Sequence, residues 1–68
     1  MKFNKYDVVQ FNESHNWCGC IGYVDEIKPS KIMVGIDIPQ QGTAYIFARE
    51  KDLEYIGRMV LVQNEVTE

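Results

Sequence analysis

The stretch Trp17-Cys18-Gly19-Cys20-Ile21-Gly22-Tyr23-Val24-Asp25-Glu26-Ile27 decides how the chain folds. Gly19 and Gly22 stand three apart in a run otherwise rich in strand formers. Glycine packs nothing in a strand and loses the most backbone freedom on folding. There it marks a bulge, a bend or the close approach of another backbone. The stretch therefore predicts a short, sharply bent strand. Val24 and Ile27 are also three apart, so strict alternation cannot turn both inward. A bulge near Asp25-Glu26 restores them to one face. A bent strand of this kind is what a small closed barrel requires.

Upstream, Lys5–Phe11 reads as a first strand, with Val9 and Phe11 on one face and Tyr6 and Val8 on the other. Asn12–Asn16 is a polar loop of residues that bond their own backbone in turns. The bent strand then covers about Cys18–Lys28 and ends at the turn signal Pro29-Ser30. Lys31–Ile38 is the clearest strand, because Ile32, Val34, Ile36 and Ile38 alternate with Lys31, Met33, Gly35 and Asp37. Pro39-Gln40-Gln41-Gly42 closes a hairpin into Thr43–Ala48. That fourth strand is apolar on both faces, Tyr45 and Phe47 on one and Ala44, Ile46 and Ala48 on the other. It is either buried on both sides or meets something else with one of them.

Arg49–Asp52 is a charged turn, read as a single 3₁₀ turn near residues 50–53 that delivers Leu53 inward. Glu54–Ile56 makes a short fifth strand ended by Gly57. The expected core is Val9, Phe11, Val24, Ile27, Ile32, Val34, Ile36, Phe47 and Leu53, with Val34 central. Met59–Val62 is too apolar to be left in water and is expected to add a sixth strand, followed by a frayed end at Gln63–Glu68. An all-β barrel of five or six strands is thus expected, with the barrel in residues 1–57 and residues 58–68 an extension that partly adds the sixth strand.

A chain of 68 residues is one domain. A domain of this size buries only about 60% of its unfolded surface, so nearly all its apolar residues must be used. The longest apolar run, Met59–Val62, is far too short to cross a bilayer, and Met1–Asn4 has no apolar signal core. No membrane association and a cytoplasmic location are expected. Seven basic residues against ten acidic ones give a net charge of −3, which argues against DNA or RNA as partner. Lys28 and Lys31, with Lys2 and Lys5 nearby in charge if not in sequence, are the residues a nucleic-acid reading would use.

His15, Cys18 and Cys20 form an H-x-x-C-x-C run, the one group with metal-ligand chemistry. A structural zinc needs four ligands, and the fourth would have to come from Glu13, Asp7 or another subunit. On an extended strand the two cysteines share a face, and the simpler reading is two small hydrophobes packed in a tight wall. A disulfide between strand neighbours strains the Cα separation, and a cytosolic chain stays reduced. His15 is read as a solvated loop residue. The paired carboxylates Asp25-Glu26 and Glu50/Asp52 belong to turns and make no convincing catalytic arrangement, and a phosphate-cradling glycine loop, HExxH and GxSxG are missing from the sequence. No catalytic residue, metal or cofactor is expected, and the chain reads as a non-enzyme.

The aromatics are more informative. A barrel this small cannot bury Tyr6, Trp17, Tyr23, Tyr45 and Tyr55 alongside Phe11 and Phe47. Trp17 and Tyr23 are expected to point outward and form a binding face, with capping of the barrel end as the other role for Trp17. The loop and the β-turn then give the candidate partner-binding set: His15, Asn16, Trp17, Tyr23, Gln40 and Gln41.

Three motifs now stand together: Asp7-x-Val9-x-Phe11, Gly19-x-x-Gly22-x-Val24-x-x-Ile27 and Asp52-Leu53-Glu54-x-Ile56-Gly57. Their combination resembles the SH3-like barrel, specifically its KOW-type branch. The match runs from about Lys5 to Gly57 and departs at Tyr6, where the pattern prefers glycine, and in the C-terminal tail. The Gln40–Tyr45 run, Gln-Gln-Gly-Thr-Ala-Tyr, gives the chain a look similar to small proteins of phages and prophages of low-GC Gram-positive bacteria. That resemblance implies an accessory protein of a mobile element. The expected function is a small binding module contacting a host or phage protein. A KOW-like nucleic-acid accessory domain is the alternative. A monomer is expected, with a homodimer through the C-terminal strand as the other arrangement.

Overall fold

The bulge expected near Asp25-Glu26 is where β2 (Ile21–Ile27) slips its register on β3 (Ile32–Ile38). Val24 pairs with Val34, but Glu26 rather than Asp25 pairs with Met33, and Ile27 then meets Ile32. The extra residue keeps Val24 and Ile27 on the side of the sheet that carries the core. The computed structural model describes residues 2–58. Around this hairpin stand β1 (Asp7–Phe11), β4 (Gly42–Ala48), a 3₁₀ turn at Glu50–Asp52, and β5 (Leu53–Arg58).

The five strands form one antiparallel sheet in the order β4-β3-β2-β1-β5. Among the described residues β4 and β5 are its two edges and do not pair with each other, so the sheet is open where a closed barrel was expected. Phe3 and residues from every strand nonetheless form a single buried cluster. One sheet can surround one core only by curling, and the bulges at Asp25 of β2 and at Ile56 of β5, opposite Val8-Val9, supply the bend. The sixth strand expected at Met59–Val62 and the frayed end after it lie outside the described residues.

Strand boundaries follow backbone conformation. β1 begins at Asp7 rather than Lys5 because Tyr6 adopts φ 75° in a turn closed by the Asp7 N–H donating to Asn4 O at 3.0 Å. The buried Asp7 carboxylate accepts the Asn4 N–H at 2.8 Å and fixes the same turn. β2 begins at Ile21 rather than Cys18 because Gly19, at φ 94°, still belongs to the loop. Gly22 marks a close approach: a Cβ there would stand 2.5 Å from Gly35 O.

Seven of the nine expected core residues are buried, Val34 completely. Ile27 is half-buried and packs against the cluster. Phe47 is the correction, since it is exposed. Pairing with β3 sets Ile46 opposite Val34 and Ala48 opposite Ile32, which gives the core face to Ala44, Ile46 and Ala48 and turns Tyr45 and Phe47 outward. Phe3, from the segment before β1, is the aromatic that the core buries instead.

Candidate functional site

The β1–β2 loop is polar in sequence, but its polar groups tie it down. Asn12 donates through Nδ2 to Lys51 O at 2.7 Å and through its backbone N–H to Asp52 O at 2.9 Å. The Ser14 hydroxyl donates to the carboxylate of Asp52, which is only 2% exposed. Arg49 donates to the same carboxylate from its backbone N–H at 3.0 Å and from Nε at 3.2 Å. Burial pushes the Asp52 pKa up, but the Ser14 hydroxyl and the Arg49 donors outweigh it and hold the carboxyl well below the usual carboxylate range.

His15 is not a solvated loop residue. Its half-buried ring lies 4.6 Å from that of Phe11. Nδ1 accepts the Trp17 N–H at 3.0 Å, so Nε2 carries the proton and donates to Phe47 O, also at 3.0 Å. The loop is thereby latched to the end of β4. Both ring nitrogens are engaged in this way, and among the described residues no cluster of three or more His, Cys, Asp or Glu could hold a metal. The cysteines do not share a strand face either. Cys18 is exposed in the loop, while Cys20 is half-buried against the core, because the strand starts only after both.

Apolar surface remains exposed at Tyr6, Trp17 and Ile21, at Tyr55 and Ile56 of β5, and on the outer face of β4 at Tyr45 and Phe47. Tyr45, Gly35 and Tyr23 lie side by side across β4, β3 and β2. The Tyr23 ring covers Gly35 so closely that a Cβ there would stand 2.7 Å from Tyr23 Cζ. Tyr23 is therefore half-buried, and burial, then the neighbouring Tyr45, raises its phenol pKa. Phe47 pairs with Met33 in the next row, and the Lys31 ammonium sits 4.2 Å from its ring centroid. Tyr45 is 53% exposed and Phe47 44%. Only Tyr23 of this face stands in the sequence-derived set. The doubly apolar pattern of β4 signals a second contact in the sequence, but it does not say that Tyr45 and Phe47 are the side left outside.

At the end of β4 a hollow of about 420 Å³ is lined by His15, Ser30, Lys31, Phe47, Arg49 and Asp52. Arg49 and Asp52 balance each other there as an ion pair, so the positive charge left in the hollow is that of Lys31. Of the other expected site residues, Asn16 and Trp17 are exposed on the loop and Gln40 and Gln41 on the β3–β4 turn. Lys28 pairs with Glu26 at 3.3 Å. Compared with family models, curated proteins and solved structures, the chain matches none.

Proposed function

We propose that the chain is a small, non-enzymatic binding module that contacts a protein partner through the outer face of β2, β3 and β4. One observation carries this reading. Tyr45 and Phe47 stand exposed next to Tyr23 and Met33, although the core closes without them. Apolar surface left uncovered on a small domain, rimmed by polar groups, is the usual mark of an interaction site. Asn16 and Trp17 on the loop and Gln40 and Gln41 on the turn extend the contact at its margins. The order of strands, with a 3₁₀ turn before the last, is compatible with an SH3-like fold of the KOW-type branch, and the working context is a monomeric mobile-element accessory protein in the host cytoplasm.

The nucleic-acid reading has its own observation, the pairing of Lys31 with Phe47 beside Arg49. Cations next to an exposed ring are how single strands are held. Against it stand the net charge of −3 and the engagement of Lys28 by Glu26. Affinity capture from a Gram-positive bacterial lysate, quantified by mass spectrometry, separates the two. A protein retained by the immobilised chain and lost with the Tyr45→Ser/Phe47→Ser variant is expected. Equal retention by both would remove the outer face from the proposal. Salt-dependent binding of single-stranded RNA or DNA, abolished by Lys31→Ala, would put nucleic acid first.

A further inference from the structure

The two edges of the sheet are built differently. β5 carries Glu54 and Arg58, and its pairing with β1 is broken by a bulge. These are the devices by which sheets discourage further strands from adding. β4 has none of them. Gly42–Ala48 contains no charge and no proline, and it pairs with β3 in unbroken register from Ile38↔Gly42 to Ile32↔Ala48. Among the described residues its other edge pairs with no strand.

The backbone groups on that edge can be assigned. Phe47 O points away from β3, since it accepts the bond from His15. Backbone direction alternates along an antiparallel strand, so Tyr45 and Thr43 also present their N–H and C=O groups outward, while Ala44, Ile46 and Ala48 bond to β3. His15 has taken Phe47 O. Among the described residues, what remains for a new strand is both groups of Thr43, both groups of Tyr45 and the Phe47 N–H.

Charge indicates what such a strand carries. Lys31 and Arg49 line the hollow at the Phe47 end. At the Thr43 end the one acidic neighbour, Asp37, accepts the Thr43 hydroxyl at 2.9 Å. A second copy of this chain fits poorly. Two β4 strands paired antiparallel about Ala44 would set Thr43 against Tyr45 and bring the Pro39–Gly42 turn of one copy to the Lys31 end of the other, and neither that turn nor β4 carries a carboxylate for Lys31.

We infer that the outer edge of β4 receives an extended segment of the protein partner as an added antiparallel strand, with acidic residues at the segment's N-terminal end beside Lys31. This rests on the protein-binding reading above and narrows its partner to one class. Main-chain bonds to Thr43 and Tyr45 supply the affinity, and alternate apolar side chains flank Tyr45 and Phe47 on the outer face. The carboxylates in the hollow set direction and register.

The test uses the full chain, isotopically labelled, and an acetylated synthetic peptide of two glutamates followed by alternating valine and threonine. Titration followed by NMR should shift the amide signals of Thr43, Tyr45 and Phe47 and slow their exchange with solvent. Replacing the glutamates with lysines should weaken binding about tenfold, and N-methylation of alternate peptide residues should abolish it. Thr43→Pro should also abolish it. The proline removes an outward N–H and the exposed hydroxyl bond to Asp37 but no backbone bond to β3, so the rest of the spectrum should stay folded, and Thr43→Val, which loses the hydroxyl alone, should still bind. The inference fails if saturating peptide leaves these amides unmoved, or if the shifts fall on β5 instead. It fails equally if Thr43 and Tyr45 are already protected without peptide. Concentration-dependent mass in light scattering would then name a second copy as the occupant. Loss of that protection on deleting residues 59–68 would name the chain's own C-terminal residues. If the peptide fails while lysate capture still depends on Tyr45 and Phe47, the protein-binding reading stands and the edge is not its site.

Discussion

Asp52 is the carboxylate on which both the β1–β2 loop and the 3₁₀ turn depend. It accepts from Ser14 of the loop and from Arg49 at the start of the turn. Asp52→Asn replaces charge-assisted bonds with neutral ones and turns one acceptor into a donor facing donors. A loss of about 2–3 kcal/mol is expected in urea unfolding at neutral pH. The pH dependence has a definite sign. The folded pKa lies below the unfolded value of about 3.9, so the stabilisation is complete above the unfolded value. As pH falls below about 4 the unfolded chain binds the proton first, and stability declines toward the folded pKa. The gap between native and variant stability should therefore narrow in acid, and a gap constant from pH 6 to pH 3 would count against this role. In sequence Asp52 reads only as part of a turn, because the burial that gives it weight comes from the distant loop. Tyr6 takes a positive φ, the region that favours glycine, and a tyrosine there gives no signal of it in the sequence. Phe3 gives no signal either, since a lone aromatic among polar residues has no periodicity to read.

At the scale of elements, β2 carries the bend. The spacing of Val24 and Ile27 is enough to place the bulge, but the two glycines turn out to do different things. Gly19 makes the loop with a positive φ, and Gly22 admits the backbone of β3. At Gly22 the obstacle to a side chain is the Gly35 carbonyl, which cannot move without disturbing the sheet. At Gly35 it is the far end of the Tyr23 ring, which can swing aside. Gly22→Ala should then cost about 1–3 kcal/mol, and Gly35→Ala clearly less, as measured by denaturant midpoints. Equal losses, or a neutral Gly22→Ala, would mean that the approach of the two strands is looser than the geometry shows. β4 shows the limit of local reading. Its pattern is apolar on both faces, so period two cannot choose between them. The choice is made by pairing with β3, which sets Ile46 beside Val34 and leaves Phe47 outside. The candidate surface was hidden in the same ambiguity.

For the whole molecule, one curled sheet closes its core with residues from every strand and leaves its two edges unlike each other. Its acidic balance coexists with a local positive group at Lys31, beside the balanced Arg49–Asp52 pair, so net charge alone does not describe the surface a partner meets. A domain of this size has little stability to spare. An uncharged, regular edge strand with exposed aromatics is therefore a notable liability unless something binds there. Native-state amide exchange on the full chain at low concentration, read residue by residue along β4, tests this most directly. Ala44, Ile46 and Ala48 should be protected by β3, while Thr43 and Tyr45 exchange close to the rate of an unstructured chain. Uniform protection from Gly42 to Ala48, or the opposite alternation, would contradict an open β4 edge.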